Sequence, residues 1–181
     1  MTFFTQVRRQ GVVLLTLAAI VFLCGCTRSN VPDTAQPQAP AILPVLSASP
    51  AWQLTALDGK TVGAEQLKGK VVVVDFWATW CGPCVHEIPG YIALQKKYGD
   101  RGLVIVGLSV DQNGKTVVSK FISDRGINYT IALATEEVIA AFGGVEAIPT
   151  TFLIDREGYI RHKKTGAMES EEYEKLILTL L

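Results

Sequence analysis

Two cysteines three positions apart, Cys81 and Cys84, are the residues of this chain best suited to carry out a reaction. They enclose Gly82 and Pro83 and follow directly after Trp80. A thiol pair at this spacing can form a structural disulfide, contribute half of a metal site, attach a haem or carry electrons. The neighbouring residues help to distinguish these possibilities.

Metal and haem sites need ligands that the sequence scarcely offers. A structural zinc site usually takes four Cys or His ligands. If cleavage removes Cys24 and a lipid occupies Cys26, only His86 and His162 could join the pair. Covalent haem attachment needs a histidine directly after the second cysteine, where this chain has Val85. We therefore expect no metal and no cofactor. Copper binding and a plain structural disulfide stay open as alternatives, although so short a loop restrains the unfolded chain little.

A redox role for the pair has a mechanism in the local sequence. If Gly82 and Pro83 open a helix, Cys81 lies at its N-terminus, where free N–H groups and the helix dipole stabilise a thiolate. Pro83 suits the first turn because it has no N–H to leave unpaired. Cys84, one turn further along, can attack a mixed disulfide formed by Cys81. We expect Cys81 to be the nucleophile and Cys84 the resolving thiol.

The elements that position the pair alternate between strands and helices. A continuous β-branched run at residues 70–77 is typical of a strand buried on both faces, and it leads directly to the cysteines. The predicted elements are a hairpin around 52–62, strand 70–77, helix 83–98, strand 103–110, adjacent helices near 117–122 and from Thr135, strands 151–154 and 159–163, and a helix near 173–180. This order indicates a mixed α/β fold.

Asp75 interrupts the apolar strand that precedes the cysteines. An acid buried in such a strand should have a raised pKa, which suits a base for Cys84. The alternative is an acid at a strand end that reaches water. Glu87 is expected to be a helix-surface carboxylate and His162 a strand-surface residue.

The N-terminus has the features of an export signal. Arg8 and Arg9 precede an apolar run at 11–23 of about 13 residues, short of the roughly 20 needed to cross a bilayer core. The Leu-Cys-Gly-Cys motif that follows, ending at Cys26, resembles the bacterial lipobox, in which the cysteine is lipidated after cleavage. We expect a signal peptide at 1–25 and a lipid on Cys26. An uncleaved anchor and a plain secretory signal are the alternatives, and all three place the domain outside the cytoplasm.

Residues 26–50 separate this signal from the folded part. They contain five prolines, which favour extended, unpaired backbone, so we expect a tether followed by one domain at 51–181. That length is enough to bury one core. The chain has 17 basic and 17 acidic residues, which gives no reason to expect a nucleic-acid partner.

The sequence resembles the thioredoxin superfamily and, within it, the TlpA/ResA-like membrane-tethered thiol-disulfide oxidoreductases. The segment VVVDFWATWCGPC resembles the active-site strand and turn, and Pro89 falls where the family kinks its first helix. Ile148-Pro149-Thr150 is similar to the cis-proline loop, and KTGAMESEEYEKLI to the last strand and helix. The long stretch from 103 to 149 looks like the inserted helix-strand element of this branch. The resemblance implies a thioredoxin fold, a central mixed sheet flanked by helices, with an N-terminal β-hairpin and this insertion.

The resemblance also implies roles for individual residues. Pro149 would be cis and lie against Cys81, and Asp75 would be the buried acid that assists the resolving thiol. Trp80 would border the sulfur and shape the docking face, with plain core packing as its alternative. Gly107 stands where thioredoxin has a lysine near the acid, so Asp75 should titrate higher still.

A reductase of protein disulfides in the periplasm or another extracytoplasmic space is the function that the resemblance implies. Such an enzyme needs a membrane thiol electron donor, and apocytochrome c in cytochrome c biogenesis is the client that the family suggests. We expect a monomer held to the membrane by its lipid. Alternatives are a disulfide-donating oxidase, a copper-binding module and a thiol peroxidase, although Val74 and Ala78 depart from the peroxidatic motif.

Overall fold

The computed structural model describes residues 42–112 and 114–181. The signal peptide predicted at 1–25, the lipid on Cys26 and most of the predicted tether lie outside the described residues. Within the described ranges, no helix is long and apolar enough to cross a membrane.

A six-stranded mixed sheet forms the centre of the fold. The strands are β1 (Ser47–Ala48), β2 (Gln53–Thr55), β3 (Thr61–Gly63), β4 (Val71–Trp77), β5 (Leu103–Ser109), β6 (Thr130–Leu133), β7 (Thr150–Ile154) and β8 (Tyr159–Thr165). Their order across the sheet is β1-β8-β7-β4-β5-β6, while β2 and β3 form a separate hairpin. Inside the sheet, β4 pairs in parallel with β5 and antiparallel with β7.

Helices cover both faces of this sheet. They are α1 (Gly82–Tyr98), α2 (Gly114–Arg125), α3 (Glu136–Ala141) and α4 (Ser170–Leu178), with a 3-10 turn at Gly99–Arg101. One face packs against α1, α2 and α4, which bury Tyr91, Val118 and Ile177. The other face packs against α3 and the hairpin, which bury Val138 and Trp52. The predicted α/β architecture with an N-terminal hairpin is confirmed.

The central strand β4 is buried along its whole length. Side chains alternate between the two faces of a strand, and those of Val74 and Phe76 join the cluster beneath α3 and the hairpin. Val73 and Trp77 instead join the clusters on the α1 side. Asp75 lies between Val73 and Trp77 in the sequence, so it shares the α1 face with them.

The inserted helix-strand element predicted between residues 103 and 149 consists of α2 and β6. β6 pairs in parallel with β5 and forms one edge of the sheet. The sequence outline places the two middle helices next to each other, and the structure corrects this because β6 lies between α2 and α3. A strand of four residues is too short to show a clear alternating period.

Strand β1 lies within the segment predicted to be a tether. The Leu46 N–H donates to the Ile160 carbonyl and the Ser49 N–H to the Gly158 carbonyl, each at 2.8 Å. Prolines 44 and 50 flank this strand, so the residues between them keep the N–H groups that edge pairing needs. Paired structure therefore begins before the expected boundary at residue 51.

Candidate active site

The two cysteines form a disulfide at the start of α1. Cys81 is the N-cap residue, and its sulfur accepts a hydrogen bond from the Cys84 N–H at 3.3 Å. Pro83 lies in the first turn, where a missing N–H leaves no helical bond unmade. Cys81 is 6 % exposed and Cys84 is 1 % exposed. This geometry favours Cys81 as the sulfur that meets a substrate and Cys84 as the one that attacks from inside.

Asp111 holds the loop that precedes the cysteines. Its carboxylate accepts hydrogen bonds from the Thr79 N–H at 2.9 Å and the Thr79 hydroxyl at 2.6 Å. The Ser109 hydroxyl donates to the same carboxylate at 2.8 Å. Because β4 and β5 are parallel, their C-terminal ends lie at the same end of the sheet, and the residues that follow them meet there. The sequence analysis did not single out Asp111, although its position just after a buried strand is a signal that could have done so.

The two tryptophans beside the disulfide have opposite environments. Trp77, at the end of β4, is fully buried and packs against Phe121 with ring centroids 5.4 Å apart. Trp80 is 70 % exposed, so plain core packing does not account for it. An exposed indole directly before Cys81 provides apolar contact surface next to the reactive sulfur.

The loop before β7 contains the cis peptide bond between Ile148 and Pro149. Ile148 packs against the cluster that holds both cysteines. The Thr150 hydroxyl donates to the Ala147 carbonyl at 2.7 Å and ties the loop to the start of β7. The predicted cis conformation of Pro149 is present, and its neighbour Ile148 packs against the cluster to which the cysteines belong.

Asp75 is a buried acid, with 4 % of its surface exposed. Its pKa is raised to about 8, chiefly by burial and next by the charge of Glu87, while a hydrogen bond from the Thr151 hydroxyl at 3.2 Å lowers it. The alternative of an acid at a strand end reaching water does not hold. A carboxyl group with this pKa can exchange a proton near neutral pH, as a base for Cys84 would need to.

Gly107 lies directly opposite Asp75 in the pairing of β4 with β5. A Cβ atom at this position would lie 2.5 Å from Cδ1 of Ile131 and 2.9 Å from Nε1 of Trp77. Such distances leave no room for a side chain without movement of these neighbours. The residues packed around the acid therefore exclude the lysine that thioredoxin has here.

Glu87 is buried, contrary to the expected surface position, with 6 % of its surface exposed. Its Oε1 atom accepts a hydrogen bond from the Met168 N–H at 2.9 Å, just before α4. Burial raises its pKa, whereas the hydrogen bonds of the Met168 N–H and the Tyr173 hydroxyl lower it. Its spacing of three residues from Cys84 and four from Tyr91 places it beside the buried stripe of α1, which is a signal that could have identified it.

A cluster of hydroxyl groups connects the two acids. The Thr151 hydroxyl, which donates to Asp75, accepts from the Tyr173 hydroxyl at 2.9 Å and lies 3.3 Å from the Tyr91 hydroxyl. All three hydroxyl groups are on buried residues. Tyr91 and Tyr173 also line a pocket with Glu87, so the hydroxyl cluster and the second acid lie together beneath α1. No short-range sequence pattern predicts this cluster.

Across residues 42–112 and 114–181, no group of three or more His, Cys, Asp or Glu side chains is arranged to hold a metal ion.

Comparisons with known proteins relate the chain to one group of oxidoreductases. The model of the Redoxin family matches residues 32–177. Thiol-disulfide oxidoreductase ResA of Bacillus thuringiensis (strain Al Hakam) is 34 % identical over 126 residues, covering 70 % of this chain and 72 % of that protein. ResA of Bacillus subtilis (strain 168) is 37 % identical over 123 residues, covering 67 % of this chain and 68 % of that protein.

Solved structures lead to the same group. A thiol:disulfide interchange protein of the thioredoxin family from Chlorobium tepidum TLS superposes with a TM-score of 0.70 and 33 % identity. The match covers 74 % of this chain and 95 % of that one. A putative thiol:disulfide interchange protein DsbE from Chlorobium tepidum has a TM-score of 0.68 and 28 % identity, over 77 % of this chain and 99 % of that one.

Proposed function

The chain belongs to the Redoxin family and is a thioredoxin-like thiol-disulfide oxidoreductase, and we propose that it reduces protein disulfides outside the cytoplasm. One observation supports the proposal above the others. The Cys81 sulfur caps α1, Cys84 lies one turn further in, and the buried acid Asp75 is on the face of β4 that α1 covers.

Both cysteines act in turn in the proposed cycle. The Cys81 thiolate attacks a substrate disulfide, forms a mixed S–S bond and releases the first substrate thiolate. Cys84 then gives its proton to Asp75 and attacks the Cys81 sulfur, which releases the second substrate thiolate. Two electrons have passed to the substrate, and the enzyme is left with the Cys81–Cys84 disulfide. A membrane thiol donor then reduces this disulfide for the next cycle.

We propose that the substrate docks on the surface around the Cys81 sulfur. The exposed ring of Trp80 offers an apolar contact for the substrate chain. The Pro149 carbonyl already accepts a hydrogen bond from the Gly166 N–H at 2.8 Å. Backbone pairing with an extended substrate segment, as in strand addition, therefore falls to Ile148 just before it. Unfolded apocytochrome c, whose haem-binding cysteines must be reduced before attachment, is the proposed client.

The reduction potential of the Cys81–Cys84 pair tests the direction of electron flow. Thioredoxin has Gly-Pro between its cysteines, as this chain does, and we expect a value near its roughly −270 mV. Redox titration of the purified protein against dithiothreitol, followed by mass spectrometry of alkylated thiols, measures it. A value close to the roughly −120 mV of strongly oxidising relatives would make the protein a disulfide donor instead.

We also propose that residues 1–25 are a signal peptide, that Cys26 bears a lipid and that the following Pro-rich segment is a tether. An acyl chain contributes about 0.8 kcal/mol of membrane binding per buried CH₂, so this arrangement would keep the domain at a membrane surface. The mature protein should then yield an acylated N-terminal peptide that begins at Cys26.

Mass spectrometry of the protein from its native membrane checks this prediction. Cys26→Ser should abolish the acylated peptide, whereas the matched variant Cys24→Ser should retain it. An N-terminal peptide that extends upstream of residue 26 and carries an unmodified Cys26 would instead support an uncleaved anchor.

A further inference from the structure

Asp75 takes up one proton when Cys84 becomes a thiolate, and it must lose that proton before the next substrate is resolved. The proton can return to Cys84 when the disulfide is reduced, or it can leave to solvent while the protein is oxidised. The Asp75 carboxyl group is buried, and the Thr151 hydroxyl donates a hydrogen bond to it at 3.2 Å. Asp75 is thus in contact with a hydroxyl group that has further hydroxyl partners.

Thr151 joins Asp75 to a second acid through one tyrosine. The Tyr173 hydroxyl donates to the Thr151 oxygen at 2.9 Å. Tyr173 and Glu87 line the same pocket, and the Tyr173 hydroxyl lowers the pKa of the Glu87 carboxyl. The second oxygen of that carboxyl, Oε2, is buried and has no hydrogen-bond partner in the part of the chain that the structure describes.

Glu87 lies at the wall of a pocket of about 270 Å³ between α1 and the start of α4. Tyr91, Tyr173 and Met168 also line this pocket, and His86 and Glu169 at its border are exposed. A water molecule occupies about 30 Å³ in the liquid, so the pocket has room for several. The Glu87 side chain therefore borders a space that solvent can enter.

We propose that the Thr151 hydroxyl relays protons between Asp75 and Glu87 through Tyr173, and that the pocket beside Glu87 exchanges them with water. Thr151 is then a positioning residue that acts through Asp75. The inference rests on the proposed role of Asp75 as the acid that serves the cysteines.

Protons balance along this path. When Asp75 releases its proton to the Thr151 oxygen, Thr151 passes its own hydroxyl proton to Tyr173, and Tyr173 passes its own to the Glu87 carboxylate. Both hydroxyl groups are neutral before and after, so one proton has moved from Asp75 to Glu87. Glu87 then gives it to water in the pocket. In the structure Thr151 donates to Asp75 and Tyr173 donates to Thr151, which is the orientation for proton uptake, so both hydroxyls rotate before release.

The ionisable groups that influence Asp75 come from several elements. They are Glu87 and Tyr91 on α1, Tyr173 on α4 and Tyr129 before β6. Burial raises the pKa of each tyrosine, so none of them loses its proton near neutral pH. Glu87 is therefore the one group among them that can hold the transferred proton.

The direct test measures how fast Asp75 gains and loses its proton in the oxidised protein. A pH jump followed by infrared absorption of the protonated carboxyl reports both rates, and Asp75→Asn identifies the band. Thr151→Val keeps the shape of the side chain and removes the hydroxyl, and it should slow both uptake and release at least about tenfold. Thr151→Ser, which keeps the hydroxyl, should restore both rates to within about twofold of the original.

The two tyrosines provide a matched pair of controls. Tyr173→Phe should slow both rates like Thr151→Val, while Tyr91→Phe, which removes a hydroxyl outside the proposed path, should leave them nearly unchanged. If Thr151 only tunes the acid, Thr151→Val will alter the ratio of the two rates and leave proton uptake unchanged. That result, or equal slowing in both tyrosine variants, would overturn the relay.

The test separates failure of the relay from failure of the proposed function. Proton exchange at Asp75 is measured without substrate, so it does not depend on what the cysteines reduce. Suppose that Thr151→Val slows proton exchange at Asp75 while Asp75→Asn keeps full disulfide reductase activity. The relay would then stand, and only the proposed role of Asp75 as the base for Cys84 would be refuted.

Discussion

Replacement of Cys84 by serine is expected to stop turnover while the first half of the reaction still proceeds. Cys81 keeps its position at the N-terminus of α1, so it can still attack a substrate disulfide. Intramolecular attack corresponds to effective concentrations of about 10⁵ M or more, which an external thiol at millimolar concentration cannot match. Turnover should therefore fall at least about 10³-fold, and a Cys81–substrate mixed disulfide should accumulate.

Non-reducing electrophoresis and intact-mass measurement detect this covalent complex. The experiment needs a background in which Cys24 and Cys26 are serine, so that Cys81 is the only thiol left in the variant. The matched variant Cys81→Ser should form no complex, since Cys84 is 1 % exposed. A complex formed by Cys81→Ser and not by Cys84→Ser would reverse the assigned roles of the two cysteines.

The centre of this site could be predicted because its signals are local in the sequence. Cys81, Pro83 and Cys84 fall within one helical turn, and the apolar run before them identifies the buried strand β4. Asp75 could be recognised as a buried acid because its neighbours in that run are apolar. Short-range patterns of this kind fix both the type of element and the face that each side chain occupies.

The partners of the residues around the site could not be predicted, because these contacts join residues far apart in the sequence. Glu87 is buried through Met168, 81 residues further along the chain. The Asp75–Thr151 hydrogen bond spans 76 residues, and the contact of Asp111 with Thr79 spans 32. Such contacts form only when β7, α4 and the end of β5 come together around α1, and no helical or strand period reports them.

Asp75→Asn is expected to gain stability relative to the original protein as pH rises from 4 to 8, and to slow the enzyme. The pKa of Asp75 is raised from 3.8 to about 8, so between these values the folded state keeps a proton that the unfolded state has lost. The stability of the original protein therefore falls as pH rises through this window and changes no further above it. An amide has no such penalty, and the gain from Asp75→Asn has an upper limit of about 6 kcal/mol above pH 8.

Chemical denaturation of the oxidised proteins at pH 4 and pH 8 measures this gain. At pH 4 the buried amide can cost about 1–3 kcal/mol if its N–H groups lack partners. The quantity to compare is therefore the difference in free energy of unfolding between variant and original protein, and how it changes from pH 4 to pH 8. An advantage that does not grow with pH would mean that Asp75 is ionised at pH 8 at no cost to the fold.

Catalysis should change in the opposite direction from stability. Loss of a general base typically costs about 10²-fold to 10⁴-fold, and the decrease in Asp75→Asn should fall on resolution of the mixed disulfide by Cys84. Stopped-flow measurement of the two steps locates the defect, since attack by Cys81 should keep its original rate. The energetic cost of burying Asp75 would then be retained because the same burial brings the pKa of the acid close to the roughly 8.5 of an unperturbed cysteine thiol.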